Sequence, residues 1–224
     1  MKIETVIFDL DGTLIDSLGM HYNVLVTAFS RLGLPLVERE IVIRQMGSGS
    51  MDWDLLLPRE IGDREDTIAQ CYQIIQELWP EVYRAEADLF EGVPEVLKQL
   101  KTAGLTIGVA TSGPLRDLII ELLARRNVYH YIGAMVCRND VPKPKPSPQS
   151  IQKCLHLLGA SPEKSVYVGD SIVDIQASRA AGVKSIAVLS GAGDFEMLAG
   201  EDPDYIIRDV TELDGVLFQL ENER

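Results

Sequence analysis

The chain has 224 residues, with 21 Lys+Arg against 34 Asp+Glu and a formal net charge of −13. Hydrophobic residues make up 46% and charged residues 25%, which suits a globular chain and excludes disordered, collagen-like and disulfide-scaffold classes. The acidity argues against a general nucleic-acid binder, since a phosphate backbone calls for a basic stripe, and no apolar run approaches the roughly 18–20 residues that span a bilayer.

The length suits one domain with a sizeable insertion. The N-terminus, Met1-Lys2-Ile3-Glu4, carries an acid early and does not resemble a signal peptide, so a cytoplasmic protein is expected. In chain order, Val6-Ile7-Phe8 is the first short apolar run. From about Ser17 to Leu89 no convincing strand follows. Two helical stripes stand there instead, Tyr22/Leu25/Val26/Phe29/Leu32 and Ile68/Cys71/Tyr72/Ile75/Trp79/Val82, with a Gly/Ser loop, Gly47-Ser48-Gly49-Ser50, between them. Beyond residue 90, helical stripes alternate with strand-like runs. The stripes are Val93/Val96/Leu97/Leu100, Leu115/Leu118/Ile119/Leu122/Leu123 and Ile151/Cys154/Leu155/Leu158. The runs are Thr106–Ala110, Ala134–Val136, Val166–Val168 and Ile186–Leu189, with a weaker one at Tyr205–Ile207. Continuous apolar runs suit strands buried on both faces, so the pattern predicts a doubly wound α/β fold with a parallel sheet. Cys71, Cys137 and Cys154 lack any C-x-x-C spacing and read as reduced, core-facing thiols.

The first run leads directly into Asp9-Leu10-Asp11-Gly12-Thr13. In an extended segment residues i and i+2 share a face, so Asp9 and Asp11 point the same way while Leu10 turns to the core. Gly12 permits the turn that ends the strand. Two carboxylates this close repel unless a cation binds or one is protonated.

This string resembles the first motif of the haloacid-dehalogenase-like hydrolase superfamily, in its phosphatase branch. The resemblance implies a Rossmann-like core, residues 1–15 and 90–224, and a helical cap, residues 16–89, inserted after the first strand. It implies that Asp9 attacks phosphorus to form an aspartyl-phosphate, and that Asp11 protonates the leaving oxygen and then activates water. Dehalogenase members lack an acid at the second position, so Asp11 points to phosphoryl chemistry.

Three further motifs follow in family order. Gly108-Val109-Ala110 ends in Thr111-Ser112-Gly113, so Thr111 matches the phosphate-binding position, with the Ser112 N–H beside it. In Pro142-Lys143-Pro144-Lys145-Pro146-Ser147-Pro148 both lysines fit the family's Lys-Pro-x-Pro string. Only Lys145 leads straight into the next helical stripe, and it is the lysine expected to balance phosphate and nucleophile. Val168-Gly169-Asp170-Ser171-Ile172-Val173-Asp174 is similar to the fourth motif. There the resemblance implies Mg²⁺ held by Asp9, the Asp11 backbone carbonyl and Asp170, with Asp174 holding metal-bound water or bracing the lysine. Hard oxygen ligands suit that ion. The stretches Ala160–Glu163, Ala180–Val183 and Pro203–Ile206 resemble the phosphoglycolate-phosphatase group.

Within the cap, His21 stands twelve residues after Asp9, where sugar-phosphate mutases of the family carry a histidine, although it also suits a helix residue at the domain junction. The Met46–Ser50 stretch matches the cap loop that faces the site, which makes Gly47 and the nearest cation, Arg44, candidate substrate contacts. Met46, Trp53 and Trp79 read as cap packing. No lysine occurs between Lys2 and Lys98, which excludes phosphonate hydrolysis through a cap Schiff base. The reading is therefore an Mg²⁺-dependent phosphatase of small metabolites, monomer or homodimer, with a β-phosphoglucomutase-like phosphotransferase or a pyrophosphatase as the alternative. A signalling receiver also gathers acids, a Thr/Ser and a lysine around Mg²⁺, but the Ser17–Leu89 insertion sets this chain apart. A catalytically dead binding module is disfavoured by intact Asp9, Asp11, Lys145 and Asp170.

Overall fold

The computed structural model describes residues 2–49 and 51–222. Six strands form one sheet: β1 (Thr5–Phe8), β4 (Thr106–Ala110), β5 (Ala134–Val136), β6 (Ser165–Gly169), β7 (Lys184–Val188) and β8 (Tyr205–Ile207). Their order is β5-β4-β1-β6-β7-β8, and every pairing is parallel. From β1 the chain winds outward to β4 and β5, then crosses back to β6 and continues to β7 and β8. The strand order thus reverses between β1 and β6, and crevices at such reversals are where open α/β sheets bind ligands.

Alternation along the strands divides the core. Val6 and Phe8 of β1, with Val166 and Val168 of β6, pack against α5 (Val93–Thr102), α6 (Arg116–Arg125) and α10 (Leu213–Asn222). Ile7 and Tyr167 face the other way, toward α7 (Gln149–Leu158) and α8 (Ile172–Ala181). Burying each such aliphatic side chain is worth about 1.5–3 kcal/mol, which makes these strands the rigid part of the molecule. The fold class and the six sheet strands agree with the sequence pattern.

The segment between β1 and α5 differs from expectation in detail. Among the described residues it holds four α-helices: α1 (Leu18–Arg31), α2 (Arg39–Ser48), α3 (Trp53–Leu56) and α4 (Arg64–Glu86). Two-residue strands that the apolar pattern missed, β2 (Ile15–Asp16) and β3 (Asp88–Leu89), pair antiparallel at its root. They are too short to show any period. Leu25, Phe29, Val42, Leu56 and Cys71 give the segment its own small core, with Met46 and Trp53 packed against it. Trp79 instead lies against the main core, so it is more than packing within the insert. The expected Gly47-Ser48-Gly49 loop is a correction: α2 runs through Gly47 and Ser48 and ends at Gly49, whose φ of 72° makes it a left-handed C-cap. Ser50, the last residue of that stretch, lies outside the described residues. α9 (Phe195–Ala199) lies between β7 and β8.

The three cysteines are buried and free, as expected. No helix among the described residues is long and apolar enough to cross a membrane.

Candidate active site

Asp9, Thr111 and Asp170 each sit just past the carboxyl end of a parallel strand. Asp9 follows β1, and its N–H donates to the Val168 carbonyl of β6 at 2.8 Å. Thr111 follows β4, where its N–H donates to the Val136 carbonyl at 2.9 Å. Asp170 follows β6 directly. The turn Asp9–Ile15 is closed by the Gly12 N–H to the Ile15 carbonyl at 2.9 Å, and Gly12 takes a φ of 77° that only glycine adopts without strain. A Cβ on Gly12 would also stand 2.3 Å from Asp170 Oδ2, so this glycine makes room for the fourth motif.

Lys145 is the hub. It enters from the segment before α7, is 8% exposed, and places Nζ 2.6 Å from Asp9 Oδ1 and 2.5 Å from Asp174 Oδ1. Lys143 is exposed. The structure therefore brings Lys145, rather than its twin, to the two acids. Asp174 is itself held from the other side, since the Ser171 N–H and Oγ–H donate to its Oδ2 at 3.1 and 2.5 Å. Both of its carboxylate oxygens are thus engaged, and it braces the lysine.

Charge is unbalanced here. Asp9, Asp170 and Asp174 are buried, and one oxygen from each falls within 4.8 Å of the others. Burial, reinforced by Asp174 and Asp170, pushes the Asp9 carboxyl well above the usual carboxylate range despite the opposing Lys145 charge. Burial and Asp174 push Asp170 up to about 7. Burial acts to lower Lys145, but Asp174 and Asp9 outweigh it and hold the ammonium charged. Among the described residues Lys145 alone makes an ion pair with these acids, so a divalent cation would supply the missing positive charge. The donor set fits one.

Asp170 is gripped by a loop that sequence reasoning missed. The Ala192 N–H donates to its Oδ2 at 2.8 Å and the Gly193 N–H to its carbonyl at 3.0 Å. A Cβ on Gly191 would fall 2.0 Å from Asp170 Oδ2, so the loop can approach only as glycine. The Gly191-Ala192-Gly193 string was the available signal. Ser190 ties the same loop to the first motif through a 2.8 Å bond from its Oγ to the Gly12 carbonyl.

Thr111 Oγ1 accepts the Gly113 N–H at 2.9 Å, which leaves its hydroxyl proton free to donate outward. Ser112 beside it is exposed. Asp11 has a different environment from Asp9. Burial raises its carboxyl, but the His21 ring, the Ser17 hydroxyl and the Lys145 charge together bring it below the usual value. His21 Nε2 is 3.9 Å from Asp11 Oδ1, too far for a hydrogen bond, and its ring packs on Trp79 with centroids 4.5 Å apart.

The insert reaches the site through α2. Gly47 is buried against the Asp170-binding loop, where a Cβ would stand 2.5 Å from the Ala192 carbonyl oxygen. Gly49 lies against Val173 in the same way, at 2.3 Å. Arg44 stands one turn earlier on α2 and is exposed, so the structure does not gather it into the acid cluster.

Comparison with known proteins identifies the class this arrangement belongs to. The family described as haloacid dehalogenase-like hydrolase matches residues 6–188, and the chain belongs to that family. Its relatives are more particular. It is 36% identical over 214 residues to "Putative pyrophosphatase PpaX" of Caldanaerobacter subterraneus subsp. tengcongensis, covering 95% of this chain and 94% of the other. It is 30% identical over 227 residues to the phosphoglycolate phosphatase of Salmonella typhi, covering 92% and 88%. A crystal structure described as a predicted phosphoglycolate phosphatase from Haemophilus somnus shares the fold, with a TM-score of 0.82 at 24% identity, covering 96% and 98%.

Proposed function

We propose that the protein is an Mg²⁺-dependent phosphatase of small phosphorylated metabolites, working through an aspartyl-phosphate. One observation carries this reading: a buried ammonium, Lys145, stands 2.6 Å from Asp9 in a cluster otherwise made of acids. A solvated surface turn has no use for that arrangement. A site that must receive an anionic phosphoryl group beside an anionic nucleophile needs it.

In this mechanism the Asp9 carboxylate forms a bond to phosphorus while the bond to the leaving oxygen breaks, and Asp11, in the fraction of enzyme that carries its proton, delivers that proton to the leaving oxygen. Asp11 then takes a proton from water as its oxygen attacks phosphorus, releasing phosphate and restoring Asp9. Lys145 balances the charges of the phosphoryl group and Asp9 as a point charge, while the Thr111 hydroxyl and the Ser112 N–H bind the phosphoryl oxygens. Asp9, the Asp11 carbonyl and Asp170 hold Mg²⁺, which when bound offsets negative charge on the phosphoryl oxygens. Residues 16–89 act as a cap over a core of residues 1–15 and 90–224, with Gly47 at the contact and Arg44 the nearest cation for selecting substrates. His21, whose ring nitrogen is 3.9 Å from Asp11, is a further candidate substrate contact on the cap side. The same reading places the enzyme in the cytoplasm.

Short phosphorylated acids or sugars, phosphoglycolate among them, suit a cap with no lysine better than large nucleotides do. The 36% identical relative named for pyrophosphate favours a second reading, hydrolysis of pyrophosphate at the same site. Phosphate release across phosphoglycolate, sugar phosphates, nucleoside monophosphates and pyrophosphate, with and without Mg²⁺, decides between them. Release from none of these overturns the phosphatase reading, and nucleotides as best substrates overturn the assignment of substrate class.

A further inference from the structure

Tyr167 belongs to no motif, yet its hydroxyl sits at the centre of the site. It lies mid-strand in β6 between Val166 and Val168, is 1% exposed, and shares the α7/α8 face with Ile7, Ala110 and Ile151. A tyrosine buried this deeply needs a partner for its hydroxyl. It has three neighbours: Lys145 Nζ at 3.0 Å, the Ala110 carbonyl oxygen at 2.9 Å and Asp174 Oδ1 at 3.0 Å.

Donor arithmetic settles the directions. The ammonium can only donate, so the phenol oxygen accepts from Lys145. The single phenol proton then goes to the Ala110 carbonyl or to Asp174. Lys145 has three N–H groups and meets three acceptors: Asp9, Asp174 and Tyr167. Two carboxylates alone would leave the group free to swing about the line joining them. The third contact closes a tripod. Through Ala110, the residue before Thr111, the same hydroxyl ties the lysine to the end of β4 as well as to β1 and β6.

We propose that Tyr167 is a positioning residue whose hydroxyl holds the Lys145 ammonium against Asp9 for phosphoryl transfer. The proposal rests on the phosphatase reading above. A phenylalanine would keep the ring packing but leave one Lys145 N–H, and the Ala110 carbonyl or Asp174, without this partner.

The test compares Tyr167→Phe with Ile151→Val, which removes a methyl group from the same buried cluster and touches no acid. Both are assayed for phosphate release, with saturating Mg²⁺, at a temperature where each is folded by circular dichroism. Tyr167→Phe is expected to lower kcat about tenfold with KM within about twofold, the signature of an interaction realised in the transition state. Ile151→Val is expected to keep wild-type kcat. Wild-type kcat in Tyr167→Phe, or an equal fall in both variants, overturns the proposal. So does a change in KM alone. Should Tyr167→Phe not fold, 3-fluorotyrosine at position 167 keeps the ring and hydroxyl while weakening the oxygen as an acceptor. A lowered kcat at an unchanged thermal midpoint then supports the role, and an unchanged kcat overturns it. Lys145→Ala separates the two levels. If the wild type releases phosphate from no substrate the phosphatase reading itself fails, and if Lys145→Ala retains full activity the role of the lysine fails and that of Tyr167 with it, whereas an inactive Lys145→Ala beside an unaffected Tyr167→Phe rejects only the role of the tyrosine.

Discussion

The strand-end cluster and the helical insert are built on opposite principles. At the strand ends, acids and a lysine are buried almost completely, and Lys145 and Asp174 have every donor or acceptor oxygen committed. In the insert a small apolar core holds the helices together, while Arg44 stands exposed and α2 meets the core through glycines. The first region tolerates almost no displacement, because a buried charge that loses its partner costs several kcal/mol. On the proposed reading, chemistry common to all substrates belongs with the strand-end cluster, and selection among substrates with the insert.

The sharpest way to break this division is Asp9→Asn. An amide cannot attack phosphorus, so phosphate release should fall to background for every substrate. Three carboxylates crowd one ammonium here, so removing a charge should leave the thermal midpoint unchanged or higher. Calorimetry beside the assay checks both halves, and a variant that turns over appreciably removes Asp9 from the nucleophilic role.

Asp11→Asn comes next. Loss of general acid–base help should lower kcat by roughly 10²–10⁴-fold, and because the Asp11 backbone carbonyl remains, Mg²⁺ binding measured by calorimetry should persist. A loss under about tenfold would take Asp11 out of that role.

Lys145→Ala should lower kcat/KM by about 10²–10³-fold, the range seen when one preorganised charge-stabilising donor is removed. Lys143→Ala, on an exposed side chain, should stay within about twofold. Reversed effects would move the functional lysine by two residues.

On the insert side, Arg44→Ala should change the ratio of kcat/KM between phosphoglycolate and nucleoside monophosphates by about tenfold, because it alters ground-state selection rather than chemistry. If every ratio stays constant, Arg44 takes no part in selection.

The smallest effect lies outside both regions. Burial alone would raise the Asp140 carboxyl, but the Cys137 N–H and Arg116 hold it below the ordinary value. A depressed carboxyl stabilises the fold above its unfolded-state pKa, and that contribution is lost as pH falls through the lower folded value. The pair is partly exposed, so Asp140→Asn should cost only about 0.5–1 kcal/mol at pH 7 by urea unfolding, with the difference from wild type vanishing in acid.

What the sequence determined by itself was whatever the chain's local period controls. Asp9 and Asp11 share a face because they are two apart in an extended segment. Thr111 and Asp170 end apolar runs, Asp174 falls in the first turn of α8, and the six strands of the sheet follow from continuous apolar stretches. Each of these is set by neighbours within a few residues. The tertiary structure decided what depends on residues far apart meeting. Tyr167 reads as one more strand residue until packing places its hydroxyl beside Lys145 and the Ala110 carbonyl, 22 and 57 positions away. Gly191, Ala192 and Gly193 read as a turn until they close on Asp170. Gly47 reads as loop until α2 continues through it, because its missing side chain is what lets the helix lie against Ala192. Such contacts have no period to follow. They arise where the sheet's strand order reverses, which brings β4, β1 and β6 side by side although the chain separates them by a hundred residues or more between its first and last members.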